Sequence, residues 1–323
     1  MRKMRHNLWP AYPLLATAVL LTATGCEPAP SPSPSRLSDL CSALSIADVQ
    51  TTYRRVTPSI EVTKRLDDSK FHKAGMASCH YSPKDDLGGV VLGMPIGGPV
   101  PEVANLIGGR RARNSEDVIV DSDKAFFVRA ETESAIAVDH GSTQFVLTWT
   151  PLLGAPNEMV TQQELVTMAR TVATKLPTDF VVPQQDIAPE CAGVRAADQI
   201  LGDHVEMARG TTNKDTLNCH YLGSTGILRA RATRESDAFV NDQIRILRHG
   251  SRNLLDPPVD DATLMVLSRS NMYIEGYLTG CCSLTFEHRA VNDALDYSGE
   301  FNAAQRDFVV SFIAAARDWS HRR

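Results

Sequence analysis

The chain has 323 residues, 43% of them apolar and 22% charged, an ordinary globular composition with room for about two domains that excludes both wholesale disorder and a many-span membrane protein. Its 33 basic against 38 acidic side chains give a net charge of −5, with no large positive field to attract nucleic acid. Residues 1–25 hold Arg2, Lys3 and Arg5 and no acid, so their removal leaves 30 basic against 38 acidic groups, a net −8.

Met1 to His6 form a basic start, and Asn7 to Gly25 carry no charge and include the apolar run Leu14 to Leu21. A short apolar stretch followed by small residues is the layout of a secretory signal rather than a membrane span. The run ends in Ala23-Thr24-Gly25-Cys26, which resembles a lipobox, the processing site at which Cys becomes the acylated first residue of a bacterial lipoprotein. Residues 1–25 are thus expected to be a lipoprotein signal peptide, and Cys26 the lipidation site. From Glu27 to Arg36, Pro alternates with Ala and Ser. Pro fixes φ and removes backbone donors, so 26–36 is expected to be an extended tether of roughly 30 Å at about 3.1 Å per residue. Two or more acyl chains such as palmitate, at about 0.8 kcal/mol per buried methylene, anchor a protein without a transmembrane helix. The expected location is the outer face of the cytoplasmic membrane.

The remainder of the chain repeats. Cys41, Leu44, Ala47 and Asp48 recur at the same spacing as Cys191, Val194, Ala197 and Asp198, and Cys79-His80-Tyr81 recurs as Cys219-His220-Tyr221. The same order in both halves points to an internal duplication. In chain order, a helix is expected over 46–53, opened by Ser45 with Asp48 completing a capping box. In the second copy Arg195 replaces Ser45, and Gly202 supplies a left-handed stop. Each half continues with a Cys-His-Tyr strand and an apolar strand (89–96 and 226–233). A helix follows (101–107 and 237–248), then three strands (125–130, 134–139 and 144–149; 263–269, 272–278 and 283–287) and a closing helix (162–176 and 303–319). The expected fold class is α+β, with two tandem duplicated domains over 37–178 and 187–323, each a mainly antiparallel sheet with helices packed on one face. The segment from Leu176 to Asp186 marks the boundary.

With Cys26 set aside, six of the seven cysteines remain, an even number suited to an oxidising compartment. Equivalence of the copies pairs Cys41 with Cys79 and Cys191 with Cys219. Each bridge ties the first helix of a half to its first strand and contributes on the order of 3–4 kcal/mol in the chain-entropy model. Zinc sites use closer ligand spacing than these isolated cysteines have. Cys281 and Cys282 have no counterpart in the first half, where Ser142 and Thr143 stand. They close a ring with one another, pair outside the half, or stay as two buried thiols.

The lipobox, the Pro/Ser tether, and Asp39-Leu40-Cys41 with Ser45 ahead of a helix and a later Cys followed by an aromatic resemble the actinobacterial lipoproteins gathered as domain of unknown function 3558. That family opens on Asp-x-Cys-x-Leu-Leu-Thr, and its second Cys is followed within two residues by Trp. Here Ser45 stands for the Thr, Tyr81 or Tyr221 for the Trp, and Glu190-Cys191 diverges further. The resemblance implies a surface lipoprotein of an actinobacterium and brings no enzymatic activity with it.

His80 and His220 are the candidate ligand residues, because they recur beside the proposed bridges and imidazole binds metals or moves protons near neutral pH. Alternatively, each follows a buried Cys on a strand and so points away from the core as a solvated residue. Asp48 and Asp198 read as first-turn carboxylates that suit a helix N-terminus. Asp203, His204 and Glu206 read as a polar loop, and Arg110, Arg111 and Arg113 as a solvated turn. The glycines between Gly88 and Gly98 read as turns bracketing a strand rather than a phosphate loop. No Gly-x-Ser-x-Gly elbow, His-Glu-x-x-His or Cys-x-x-Cys occurs. The expectation is a non-enzymatic, membrane-anchored extracytoplasmic lipoprotein that presents two domains to a protein partner or cell-envelope component. It has no expected catalytic residue, metal, cofactor or nucleic-acid partner. The alternative is a small-ligand-binding or sensory lipoprotein with a pocket between the domains or on a sheet face.

Overall fold

Strands that alternate apolar and polar residues bury one face, and each half of this chain gathers its strands into one sheet. The computed structural model describes residues 37–52, 59–67, 75–83, 88–108, 114–151, 160–250, 253–256, 258–259, 261–268, 272–290 and 301–322. The expected signal peptide, Cys26 and the tether to residue 36, and the cluster Arg110, Arg111 and Arg113, lie outside the described residues.

The first sheet contains β1 (Ile60–Asp67), β2 (Met76–Pro83), β3 (Gly89–Pro95), β4 (Ser115–Val120), β5 (Asp123–Arg129), β6 (Ser134–His140) and β7 (Thr143–Thr150). Its order is β1-β2-β3-β7-β6-β5-β4, antiparallel throughout. The second contains β8 (Gln185–Asp186), β9 (Met207–Thr212), β10 (Thr216–Gly223), β11 (Gly226–Arg234), β12 (Ala262–Ser268), β13 (Tyr273–Leu278) and β14 (Cys282–Ala290). Its order is β12-β13-β14-β11-β10-β9-β8, with β8–β9 the one parallel pair among the described strands. The fold is therefore mixed α+β, with two antiparallel-dominated sheets and few helices.

Local chemistry sets the helices. Ser45 and Asp48 exchange side-chain to main-chain hydrogen bonds at the start of α1 (Ile46–Thr52), and Thr161 with Glu164 does the same for α2 (Gln162–Lys175). Leu165, Met168, Ala169 and Val172 recur at three and four residues and bury one stripe of α2 in a core with Leu92, Ile136, Phe145, Leu147 and Trp149. In the second half, α3 (Pro189–Ala192), α4 (Ala197–Ile200) and α6 (Ala303–His321) cover the equivalent side. On α6, Phe308 and Phe312 meet Phe286 edge to face at 6.4 and 5.4 Å.

Helices lie on both faces of the sheets rather than one. The segment expected as a helix over 101–107 is a 3-10 helix, Val103–Ile107. Its Ala104, Leu106 and Ile107 seal a second apolar layer over Phe126, Ala135, Ala137 and Val146, on the side away from α2. In the second half α5 (Asp237–Gly250) takes that side, burying Val240 and Ile244 and setting Phe239 against Tyr277. The cause is visible in β6 and β7, where five consecutive residues are buried in each strand, a pattern that calls for cover on both faces.

The expected boundary segment is packed. Phe180 and Val182 join the first core, and the Ser142 amide donates to Thr178 O at 2.9 Å. Met207 and Ile227 from the second half also join that core, and residues Leu37–Arg323 make one compact unit.

Candidate functional site

The two Cys-His-Tyr strands are β2 and β10, neither of them the first strand of its sheet, because β1 precedes one and β8 and β9 precede the other. The sulfurs of Cys41 and Cys79 are 2.06 Å apart, those of Cys191 and Cys219 1.91 Å, and those of Cys281 and Cys282 2.14 Å. Residues two apart on a strand share a face, so Tyr81 and Tyr221 point inward beside Cys79 and Cys219. Tyr81 donates to Cys41 O at 2.8 Å and Leu44 O at 2.7 Å, and Tyr221 donates to Cys191 O at 2.8 Å. Burial, followed by the charges of Asp39 and Asp48, pushes the Tyr81 phenol far up, and burial does the same to Tyr221.

His80 and His220 occupy the opposite face, and there the halves meet. Edge strand β1 lies across β9, β10 and β11, and side chains of the second sheet satisfy its outward main-chain groups. Lys64 N–H donates to Thr211 Oγ1 at 2.7 Å and Leu66 N–H to His220 Nδ1 at 3.0 Å. Leu66 O accepts from Arg229 Nη2 at 2.7 Å, and Arg209 Nη1 donates to Ser78 O at 2.8 Å and Arg65 O at 3.2 Å. Arg209, His220, Arg229 and Glu287 form one row across four neighbouring strands. An edge strand that would otherwise offer free pairing groups is thus capped by a row of side chains.

Carboxylates balance the row. Asp67 Oδ2 accepts from Ser78 Oγ and lies 2.7 Å from His80 Nε2, while Oδ1 lies 3.4 Å from Arg229. Burial alone would raise the Asp67 pKa. His80, then Arg229 and Ser78, outweigh that and hold the carboxyl far below its usual range. Lys64 bridges Asp186 and Asp39. Arg209 is wholly buried, with Nη2 at 3.8 Å from Asp186 and from the sulfurs of Cys41 and Cys79. Burial lowers its pKa, opposed by Asp186, Asp39 and Asp67. For His220, burial, then the charges of Arg229 and Arg65, push the pKa well below the usual imidazole value.

This geometry corrects the reading of both histidines as solvated strand residues. His220 is 4% exposed, and His80 is half-buried against Asp67. Nor is Ser78–Asp67–His80 a nucleophile relay: hydroxyl and imidazole meet the same carboxylate oxygen, whereas an activated hydroxyl bonds to its base. The arrangement clamps two halves together. Among the described residues, no group of three or more His, Cys, Asp or Glu side chains is arranged to hold a metal. Asp203, His204 and Glu206 are exposed in the turn after Gly202, whose φ is +90°.

Asp67, Arg209 and Arg229 are the site residues that sequence reasoning missed. Their signal is the presence of ionisable groups inside strands, with Arg209 and Arg229 directly opposite His220. No protein-family model, curated protein or solved structure matches the chain.

Proposed function

We propose that this chain is a non-enzymatic extracytoplasmic lipoprotein, anchored through Cys26, whose two duplicated domains are locked into one body that is presented to a protein partner or a cell-envelope component. The observation that carries the reading is the pairing of all six cysteines downstream of Cys26, an arrangement that persists in oxidising compartments and agrees with the export signal ahead of it. The duplication is supported by strand order, since β1-β2-β3-β7-β6-β5 and β9-β10-β11-β14-β13-β12 run in the same sequence. A binding rather than catalytic role is supported by the burial of His220, whose Nδ1 accepts from Leu66 N–H, and by the structural use of His80 Nε2 at Asp67. Placement with the actinobacterial lipoproteins of domain of unknown function 3558 rests on the short motifs around Cys26, Cys41 and Cys79.

Metabolic labelling with an alkyne palmitate analogue, followed by cell fractionation, tests the anchor. The parent chain is expected to carry label and sediment with membranes, and Cys26→Ala to lose both. Unchanged membrane retention of Cys26→Ala would overturn the reading.

A further inference from the structure

The two equivalent bridges differ in what surrounds their sulfurs. Cys191 and Cys219 are both buried, and the Cys191 sulfur lies 3.3 Å from the Asn218 carbonyl oxygen. The adjacent pair at the head of β14 is closed in the same way, with Cys281 and Cys282 buried and the Cys281 sulfur 3.9 Å from Ala316 O. In the first half Cys79 is buried, but Cys41 is partly exposed where it packs against the core. Both sulfurs of this bridge meet Nη2 of Arg209, 3.8 Å from each. The second half thus sets a buried cation against the bridge of the first.

We propose that Cys41–Cys79 is a thiol–disulfide exchange site, opened by a dithiol that attacks the Cys41 sulfur while Arg209 receives Cys79 as the departing thiolate. Exchange needs an approachable sulfur to attack and a leaving sulfur that carries negative charge well. Cys41 supplies the first. The guanidinium beside Cys79 supplies the second, since a neighbouring cation favours the thiolate. Lys64 takes up the nearby carboxylates, at 3.1 Å from Asp39 and 2.5 Å from Asp186, while Arg209 Nη2 stands 3.8 Å from Asp186. Arg209 therefore keeps positive charge to offer the sulfurs. The carbonyl oxygens beside Cys191 and Cys281 carry partial negative charge and oppose a thiolate.

One thiolate of the dithiol forms an S–S bond to Cys41 Sγ as the Cys41–Cys79 bond breaks, and the electron pair of that bond leaves on Cys79 Sγ. The second thiol of the reductant, once deprotonated, attacks its own sulfur in the mixed disulfide and releases Cys41 as thiolate. The dithiol ends as a disulfide, oxidised by two electrons, and its two protons pass to solvent or to the released sulfurs. The segment around Cys41 keeps other holds, because Tyr81 donates to Cys41 O and Leu44 O and Asp39 reaches Lys64. These contacts keep the two sulfurs close after reduction, so the bridge can re-form. The chain acts here as a stoichiometric redox partner, which goes beyond the presentation role proposed above and does not depend on the anchor.

The test exposes the oxidised full chain, under native conditions, to two reductants in parallel: dithiothreitol and reduced thioredoxin, a Cys-x-x-Cys protein. Acid quenching, alkylation in denaturant and peptide mapping read each bridge separately, so Cys191–Cys219 in the same molecule is the reference for general unfolding. Cys41–Cys79 is expected to open about tenfold or more faster than Cys191–Cys219 with at least one reductant, and the faster reductant tells a small donor from a protein one. A single-cysteine thioredoxin, which cannot complete the second attack, is expected to be trapped on Cys41. Arg209→Met keeps the volume and removes the cation, and is expected to lower the ratio of the two opening rates by about tenfold. Opening of Cys41–Cys79 no earlier than Cys191–Cys219, trapping on Cys79 or on neither cysteine, or an undiminished ratio in Arg209→Met overturns the proposal. The trapping is read on the parent chain, so it decides the matter should Arg209→Met fail to fold.

Discussion

Leu66 donates its main-chain N–H to Nδ1 of His220 at 3.0 Å, so an imidazole standing on one sheet completes the edge strand of the other. That bond requires Nδ1 to be unprotonated. His220 faces Arg209, Arg229, Arg65 and His80, with Asp67 as the neighbouring anion, so a second proton is opposed by burial and by cations. Unfolded, the ring takes that proton near pH 6.5; folded, its pKa is well below this value. The stability this confers is complete above pH 6.5 and is lost as pH falls toward the depressed value. Asp67, lowered from 3.8, adds stability that is lost only at still lower pH. The melting temperature is therefore expected to drop between about pH 7 and pH 5. His220→Asn keeps an acceptor oxygen but does not titrate, so it should flatten this limb and leave the slope due to His288, whose pKa burial also lowers. Calorimetric scans across this range check it, and an acid limb of undiminished slope in His220→Asn counts against the assignment.

Arg209 makes the sharper structural demand, because its guanidinium is wholly buried and serves carbonyls on two strands of the other half. Arg209→Ala removes the guanidinium that adds a second donor to Ser78 O and Arg65 O, empties a buried site and takes the cation from beside Asp186, and is expected to cost about 3–5 kcal/mol in urea unfolding. Arg209→Met restores volume without the charge and should cost less than Ala. Arg209→Lys has no planar fork to reach both carbonyls, so it should recover only part of the loss. Equal stability of the Ala and parent chains would remove the clamp from the account.

Tyr81 and Tyr221 explain the third position of the repeated motif. Tyr81 serves two carbonyls and Tyr221 one. Tyr81→Phe takes the phenol from Cys41 O and Leu44 O, whereas Cys191 O keeps the Val194 N–H when Tyr221 becomes Phe; at about 1–3 kcal/mol for a buried acceptor left unpaired, Tyr81→Phe is expected to destabilise more than Tyr221→Phe. Denaturation of the two single variants gives the order, and the reverse order would show that the hydroxyl contacts do not set it.

What was legible in the sequence is what depends on near neighbours. Ser45 with Asp48, Gly202 as a stop, and the closing helix over 162–176 depend on interactions within a few residues, and the structure shows each of them. The clamp was not legible because its contacts join residues far apart, 154 positions for Leu66 with His220 and 131 for Arg209 with Ser78. Strand β1 was missed for a related reason. Glu61, Lys64, Arg65 and Asp67 make it look like a solvated loop, and its burial recurs at every third residue instead of every second. Only the facing row on β9, β10 and β11 turns those charges into a packed surface.

The three cysteine pairs divide by loop length. Cys41–Cys79 and Cys191–Cys219 join residues 38 and 28 positions apart, which in the chain-entropy model restricts the unfolded chain by roughly 3–4 kcal/mol each. Cys281–Cys282 joins adjacent residues and closes no loop of the chain, so the same model assigns it almost nothing. Replacing both members of a pair by Ala is thus expected to lower the unfolding midpoint clearly for either of the first two and barely for the third. The packing lost should be small, since each change removes one sulfur per residue. Non-reducing peptide mapping of the parent chain fixes the reference connectivity, and a Cys41–Cys191 linkage would break the equivalence of the halves. A Cys281→Ala, Cys282→Ala chain as unstable as the other two double variants would mean that the adjacent pair acts through the folded state. Its position at the head of β14, with Cys281 Sγ at 3.9 Å from Ala316 O on α6, names the helix contact to be examined in that event.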